Sequence, residues 1–347
     1  PSGKAELCKS SIPQFESGRR LISVVRFAVV GAGAIGGFVA AALTRGGNDV
    51  GLVARGDHLR AIQTSGLRVR SQIGDWCTTL PAVDDLRQLD RPNVILLTVK
   101  AHQLGGLRAQ LAPYRDASIT IIPMQNGIPF WYSPQWHLAT VDPRGEVAAA
   151  IDRRQIIGSV VQASGKIVEP GVIEQAGRRT YVLGELDGVV TQRLKDIAAV
   201  LEGAQLNVQI DRNIHSAVWF KLLGNVSLNP VSALTRATIR RMIEDPLSAE
   251  LIRQLMAESM AVARALGIEL EISVDERLAV SAQLADVKTS MLQDVEARRR
   301  LEFDPIVGAV AELAQRLGIA VPATQHVYAL IKLLDASLQT EVGFRER

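Results

Sequence analysis

Lys221, Asn225 and Asn229 stand four apart in the run Trp219-Phe-Lys-Leu-Leu-Gly-Asn-Val-Ser-Leu-Asn229. On an α-helix that spacing puts the amine and both amides on one face. Their neighbours are mostly apolar, so the helix is predicted to be buried or half-buried. An ammonium group there is costly without partners. Desolvation also lowers its pKa, which can make it a proton donor near neutral pH. A lysine at such a place can instead snorkel to the rim of a core helix. The two asparagines in register favour a site.

A second constellation is Gly31-Ala-Gly33-Ala34-Ile35-Gly36, which fits G-x-G-x-x-G. The motif means little alone, but here it follows a strand-like run and opens a helix-like one. The first glycine permits the tight turn, the second lets backbone approach a pyrophosphate, and the third lets helix and strand pack closely. The helix N-terminus then offers free N–H groups to phosphate. The next strand ends Leu52-Val-Ala-Arg55-Gly56. An NAD-binding chain usually carries Asp or Glu there for the ribose 2′-OH. Arg55 suits a 2′-phosphate instead, so the expected cofactor is NADPH. A solvated surface arginine competes with this reading, and Asp57 nearby weighs against it.

Lys100 follows another strand-like run and Asn126 the next, which directs both toward the strand edge that carries the glycine loop. As a solvated lysine and a turn asparagine they would have no such role. Farther on come Ser290 and Asp294, one helical turn apart, and Glu302 just before Asp304-Pro305. Asp304 and Pro305 read as the N-cap and first position of a helix, which would leave Glu302 free to point into a cleft. Without further support, the stretch reads as a solvated helix with the arginine run 298–300.

The elements that must position these residues follow from periodicity. Apolar runs at 27–30, 50–53, 94–98 and 119–122 read as parallel strands buried on both faces. Between the first two, 34–47 reads as a helix, giving a βαβ unit. Residues 128–155 hold Pro129, Trp131, Tyr132, Pro134, Trp136 and Pro143. They are expected as a long loop with some helix, lining or covering a site. Short β-like runs over 156–184 are expected to extend the sheet in antiparallel fashion. A helix over 190–203 and a strand over 206–210 follow. Helical periodicity then dominates at 213–229, 247–266, 273–300, 305–317 and from about 323. The expected fold is α/β, an N-terminal Rossmann-type doubly wound sheet followed by an all-helical C-terminal domain. Its parts are an extension over 1–24, a nucleotide-binding domain over 25–212, a helical substrate and dimerisation domain over 213–335, and a tail over 336–347.

Composition bounds the function. The chain has 347 residues, with 39 basic against 36 acidic, a surplus too small to imply nucleic acid or an anionic membrane. Two cysteines, Cys8 and Cys77, rule out a scaffold held by many disulfides, and no metal site is expected. No apolar run nears the roughly 20 residues of a membrane span. The first 25 residues lack the apolar core of a secretory signal. A cytoplasmic protein is the expectation.

Taken in order, Gly31–Gly36, Arg55, Thr98-Val-Lys100-Ala, Gln125-Asn126-Gly127, Lys221-Leu-Leu-Gly-Asn225 with Asn229-Pro230, Ser290-Met-Leu-Gln-Asp294, Glu302-Phe-Asp304 and Gly318-Ile-Ala-Val-Pro322 resemble the ketopantoate reductase family over about 26–335. The resemblance implies reduction of ketopantoate (2-dehydropantoate) to pantoate by NADPH, as in coenzyme A biosynthesis. Lys221 would be the general acid, and Asn225, Asn229, Ser290 and Glu302 would hold the substrate. Lys100 and Asn126 would lie near the nicotinamide and Arg55 would bind the 2′-phosphate. It further implies a cleft between the two domains as the active site, and often a homodimer. The segment 128–155 is longer and more aromatic than in compact relatives, and the N-terminal extension is unusual. The alternatives are a reductase of another 2-oxo acid and a non-catalytic NADPH-binding sensor.

Overall fold

The structure, a computed structural model, describes residues 25–283 and 286–345. The extension expected over 1–24 lies outside the described residues. Two compact units divide the chain. The first runs to Gln125 and resumes over Glu146–Ile214; the second takes Asn126–Gly145 and the chain from His215 onward. The division at Ile214 lies within two residues of the expected one at 212. The segment 126–145, which the sequence placed in the nucleotide-binding part, goes with the helical one.

In the first unit β1 (Arg26–Val30), α1 (Ala34–Arg45) and β2 (Asp49–Val53) form the expected βαβ unit. There follow α2 (Gly56–Ser65), β3 (Leu67–Ser71), β4 (Trp76–Thr78), β5 (Ala82–Val83), β6 (Val94–Leu97), α3 (Arg108–Leu111) and β7 (Thr120–Pro123). The chain returns with α4 (Glu146–Ala150), β8 (Ile157–Glu169), β9 (Val172–Glu185), α5 (Gln192–Gly203) and β10 (Asn207–Ile210). Five strands make a parallel sheet in the order β5-β2-β1-β6-β7. β1 is central, with Phe27 beside both Val50 and Val94. Phe27 through Val30 are almost wholly buried, as a two-sided apolar run requires. The strand order turns back on either side of β1, and at such a switch point a doubly wound sheet binds ligands.

The expected antiparallel extension of this sheet does not form. Residues 157–185 make one long hairpin of 13- and 14-residue strands, which belongs to a second sheet, β10-β9-β3-β4 with β8 on β9. β3 alternates buried and exposed along Leu-Arg-Val-Arg, the period of a half-solvated strand. α1 packs against both sheets. A Cβ on Gly37 would lie 2.1 Å from Ile173 Cδ1, so the absence of a side chain there lets α1 approach β9. Gln155 is fully buried, and its amide donates to the carbonyls of Tyr114, Asp116 and Ile119 at 2.7, 2.8 and 3.2 Å.

The second unit holds α6 (Ile214–Thr235), α7 (Ile239–Glu244), α8 (Pro246–Ala265), α9 (Val274–Ala282), α10 (Ser290–Glu296), one π turn (Asp304–Gly308), α11 (Ala309–Leu317) and α12 (Pro322–Arg345). No strand occurs among its described residues. The helix expected over 273–300 is two, α9 and α10. The expected tail is corrected too: α12 runs through 336–345, and Leu338 is buried. One core joins Leu228 and Val231 of α6 to Ile252, Leu255 and Met256 of α8 and Val327 of α12. The Glu258 carboxylate accepts from Ala323 N, Thr324 N and Thr324 Oγ1 at 2.9, 2.8 and 2.7 Å, satisfying free donors at the start of α12. No helix of the described residues is long and apolar enough to cross a membrane.

Gln155→Leu should keep the shape but take a donor away from three backbone carbonyls. Unfolding in urea should show a loss of roughly 1–3 kcal/mol; an unchanged midpoint would mean those carbonyls find other donors.

Candidate active site

The glycine loop of the first unit has the geometry its residue types predict. Gly31, at φ +113°, would place a Cβ 2.8 Å from Val99 N, and Gly36 would place one 2.0 Å from Gly31 O. Neither position has room for a side chain. Gly33 differs: nothing lies within 4 Å of its would-be Cβ. Its backbone faces open space, as one that must approach a ligand does. Thr98 Oγ1 fixes the turn from β6, donating to Gly31 O at 2.6 Å. Gly33 is the N-cap of α1, Ala34 and Ile35 form its first turn, and that turn carries no acidic residue. These features suit a pyrophosphate at the helix N-terminus.

Arg55 ends the stretch after β2 as the exposed N-cap of α2 and has no ion pair among the described residues. Asp57, the residue that weighed against Arg55, pairs with Arg60. Gln125 closes the same edge, donating to Leu97 O and Val99 O at 2.7 and 3.0 Å. Lys100, half-buried, begins the 3-10 turn Ala101–Leu107. An open glycine backbone, an acid-free helix start and an uncommitted arginine together fit a nicotinamide dinucleotide.

The second unit gathers the residues that can do acid–base chemistry. Lys221 is half-buried on α6, and its Nζ donates to Asn126 Oδ1 at 2.6 Å. Burial brings its pKa down from 10.5 to about 8, while the Glu302 carboxylate pulls the other way. Glu302 thus acts on the same amine. Asn225 and Asn229 continue the Lys221 face of α6, half-buried and buried, and their amides have no hydrogen-bond partner among the described residues. Two unspent amides beside a proton-bearing amine can receive a polar substrate. Asn126, expected near the nicotinamide, is here the direct partner of Lys221.

Ser290 is placed less tightly. It opens α10 behind the Thr289 cap, is exposed, and has no hydrogen bond to Lys221, Asn126 or Glu302 among the described residues. Asp294, one turn on, is buried and pairs with Arg299 at 3.3 Å. Asp304 is not the helix cap expected of it. The chain forms a π turn in which Val307 N and Gly308 N both donate to Phe303 O, and Asp304 Oδ1 accepts from Tyr328 Oη at 2.7 Å. Burial raises the Asp304 pKa and the tyrosine bond opposes that.

What holds the cluster was not apparent in the sequence. Gly127, at φ +84°, would put a Cβ 2.3 Å from Pro305 O, and Ile128 N donates to that oxygen at 2.7 Å. The backbone after Asn126 is therefore pressed onto the turn after Glu302. Before Glu302, Leu301 N donates to buried Asp335 at 2.8 Å. Trp219 Nε1 donates to Tyr132 Oη at 2.7 Å, and His215 Nε2 bonds Tyr132 O at 3.1 Å. Trp131 and Tyr132, suspected of lining the site, are buried and pack against His215 instead. Glu312 of α11 accepts from Ala139 N, Thr140 N and Thr140 Oγ1 at 3.0, 3.0 and 2.8 Å, which holds the rest of the segment. The glycine of Asn126-Gly127 and the local aromatic excess were the available signals; neither names a partner.

The ketopantoate reductase PanE/ApbA family matches residues 27–188, and the family of its C-terminal part matches 213–335. The chain belongs to the ketopantoate reductase family. A 2-dehydropantoate 2-reductase of Mesorhizobium japonicum is 35% identical over 318 residues, covering 89% of this chain and 98% of that protein. A crystal structure assigned as a ketopantoate reductase of Ralstonia solanacearum has a TM-score of 0.86 at 35% identity, covering 91% of this chain and 99% of that one. The fold also recurs at 21% identity and TM-score 0.80 in a D-mandelate dehydrogenase solved with NADH and anilino(oxo)acetate, covering 91% of this chain and 100% of that one. Membership makes the chain an oxidoreductase, and the glycine loop is in keeping with a nicotinamide cofactor.

The lowered amine has a consequence for stability. Between about pH 8 and 10.5 the unfolded lysine still binds a proton that the folded one has released, so unfolding free energy rises with pH across that window. Below about 8 both forms are charged and the folded state carries the full cost of burying the ammonium. Lys221→Met should therefore flatten the pH dependence above 8, read by urea unfolding. Parallel profiles for the two proteins would contradict the lowered pKa.

Proposed function

We propose that the chain reduces ketopantoate to pantoate, with NADPH as hydride donor and Lys221 as general acid. The observation that carries this reading is the 2.6 Å bond from Lys221 Nζ to Asn126 Oδ1, in a setting that brings the amine to about 8. The glycine loop with α1 would hold the pyrophosphate, Arg55 the 2′-phosphate, and Lys100 would lie by the nicotinamide. When bound, the dinucleotide supplies a hydride to C2 of the 2-oxo acid. Lys221 gives its proton to the oxygen on that carbon, and its charge stabilises the oxygen as negative charge develops there. Asn126 holds the amine in place by accepting a hydrogen bond from it. Asn225 and Asn229 would orient the carboxylate and hydroxyl, and Glu302 keeps the amine protonated at working pH. Ser290 would complete the substrate contacts. A cytoplasmic homodimer is part of the proposal.

The test is NADPH oxidation followed by absorbance, with ketopantoate beside a panel of other 2-oxo acids, including aromatic ones. Preference for ketopantoate supports the reading; faster turnover of another acid moves the substrate, and NADPH binding without any turnover favours a sensor. Lys221→Ala should lower kcat by roughly 10²–10⁴-fold, the usual contribution of one positioned acid, with NADPH binding retained. Because the acid must carry its proton, kcat should fall as pH rises through about 8. A flat profile, or near-normal turnover in the alanine variant, would remove Lys221 from the chemistry.

A further inference from the structure

His58 lies on the first turn of α2, three residues after Arg55. Its Nδ1 accepts a hydrogen bond from Gly171 N at 2.9 Å. Gly171 belongs to the turn between β8 and β9, in the second sheet, and is itself fixed. Its carbonyl accepts from Arg68 N at 2.9 Å, and at φ +79° its would-be Cβ would lie 3.1 Å from Ala61 Cβ of α2. With Nδ1 accepting, the neutral ring carries its proton on Nε2. That nitrogen is closed off from solvent and has no hydrogen-bond partner among the described residues.

One imidazole therefore ties two pieces together: the turn that carries Arg55 and the long hairpin, against which the helix opened by the glycine loop packs. Leu59 and Ile62 pack the helix on the core, and His58 adds a polar contact to its first turn. Asp57 and Arg60 pair with each other at the surface. Other polar contacts of the helix, such as Gln63 Nε2 to Ala82 O at 2.9 Å, lie near its far end. We infer that His58 is a positioning residue for the 2′-phosphate end of the cofactor, holding the start of α2 so that Arg55 keeps a fixed place relative to the glycine loop. This rests on the reading of Arg55 as the 2′-phosphate ligand. A side chain that merely stabilised the fold would affect both dinucleotides alike; one that places Arg55 affects NADPH and spares NADH.

The experiment measures kcat/KM with NADPH and with NADH for the wild-type protein, His58→Leu, His58→Asn and Arg55→Ala. Leucine fills the volume without an acceptor. Asparagine puts Oδ1 where Nδ1 was and can still receive Gly171 N–H. Loss of one such bond corresponds to about a five- to tenfold effect, so His58→Leu should cut the preference for NADPH by that factor, through KM. His58→Asn should stay within about twofold of wild type. If Arg55→Ala lowers the preference and His58→Leu does not, or if leucine and asparagine lower it equally, the inference is wrong. If Arg55→Ala leaves the preference unchanged, the reading of Arg55 falls and takes this inference with it. Should His58→Leu not fold, hydrogen exchange of the wild-type Gly171 amide decides. NADPH should slow it more than NADH does, and equal protection overturns the inference.

Discussion

An ammonium group set into an apolar helix face has to be given an acceptor, and the acceptor for Lys221 comes from a different part of the chain, at Asn126. Much of the second unit can be understood as meeting that requirement. The backbone behind Asn126 is pressed onto Pro305 through Gly127, and this also fixes the chain that carries Glu302. Asp335 and Tyr328 of α12 hold the two flanks of that stretch, at Leu301 and Asp304. The amine, the amide that accepts from it and the carboxylate that opposes its loss of charge are thus parts of one braced assembly. Preorganisation of this kind lets a charge act on a developing oxyanion without further rearrangement.

The same assembly carries a cost. Desolvation makes the protonated lysine less favourable than it would be in water, and the single accepting bond and nearby carboxylate offset only part of that. The rest must be met by packing elsewhere in the unit. The aromatic residues Trp131, Tyr132 and Trp219, all buried, contribute there. Their interlocking with His215 holds the segment after Asn126 to α6, where it serves as core. Exchanging the substrate contact once suspected of these rings for a packing role follows from their depth: a fully buried ring has no face left for a ligand.

The first unit solves a different problem by local means. A phosphate needs backbone N–H groups and no obstruction, and three glycines in six residues supply both. Thr98 clamps their turn from the neighbouring strand. Arg55 and Gly33 are left uncommitted, while the neighbouring Asp57 is taken up by Arg60. The ketopantoate reductase family models match the chain in two parts, 27–188 and 213–335.

The parallel sheet, the βαβ unit, the glycine loop and the helical second half were legible in the sequence because each rests on a short-range pattern. Continuous apolar runs, a 3.6-residue period and glycine at fixed offsets need no knowledge of distant residues. The face shared by Lys221, Asn225 and Asn229 was legible for the same reason. Other features were not: the second sheet, the transfer of 126–145 to the helical unit, the π turn at Asp304 and the partner of Lys221. Strand β4 has only three residues, β3 alternates apolar and charged residues instead of forming an apolar run, and the hairpin's register comes from pairing, not from any run within it. Asp304 reads as a cap until Tyr328, far along the chain, claims its carboxylate. By itself the sequence determined which groups could take part and which local elements would carry them. Tertiary structure decided which groups meet, because burial, hydrogen-bond partners and pKa depend on neighbours that only folding brings within a few ångströms.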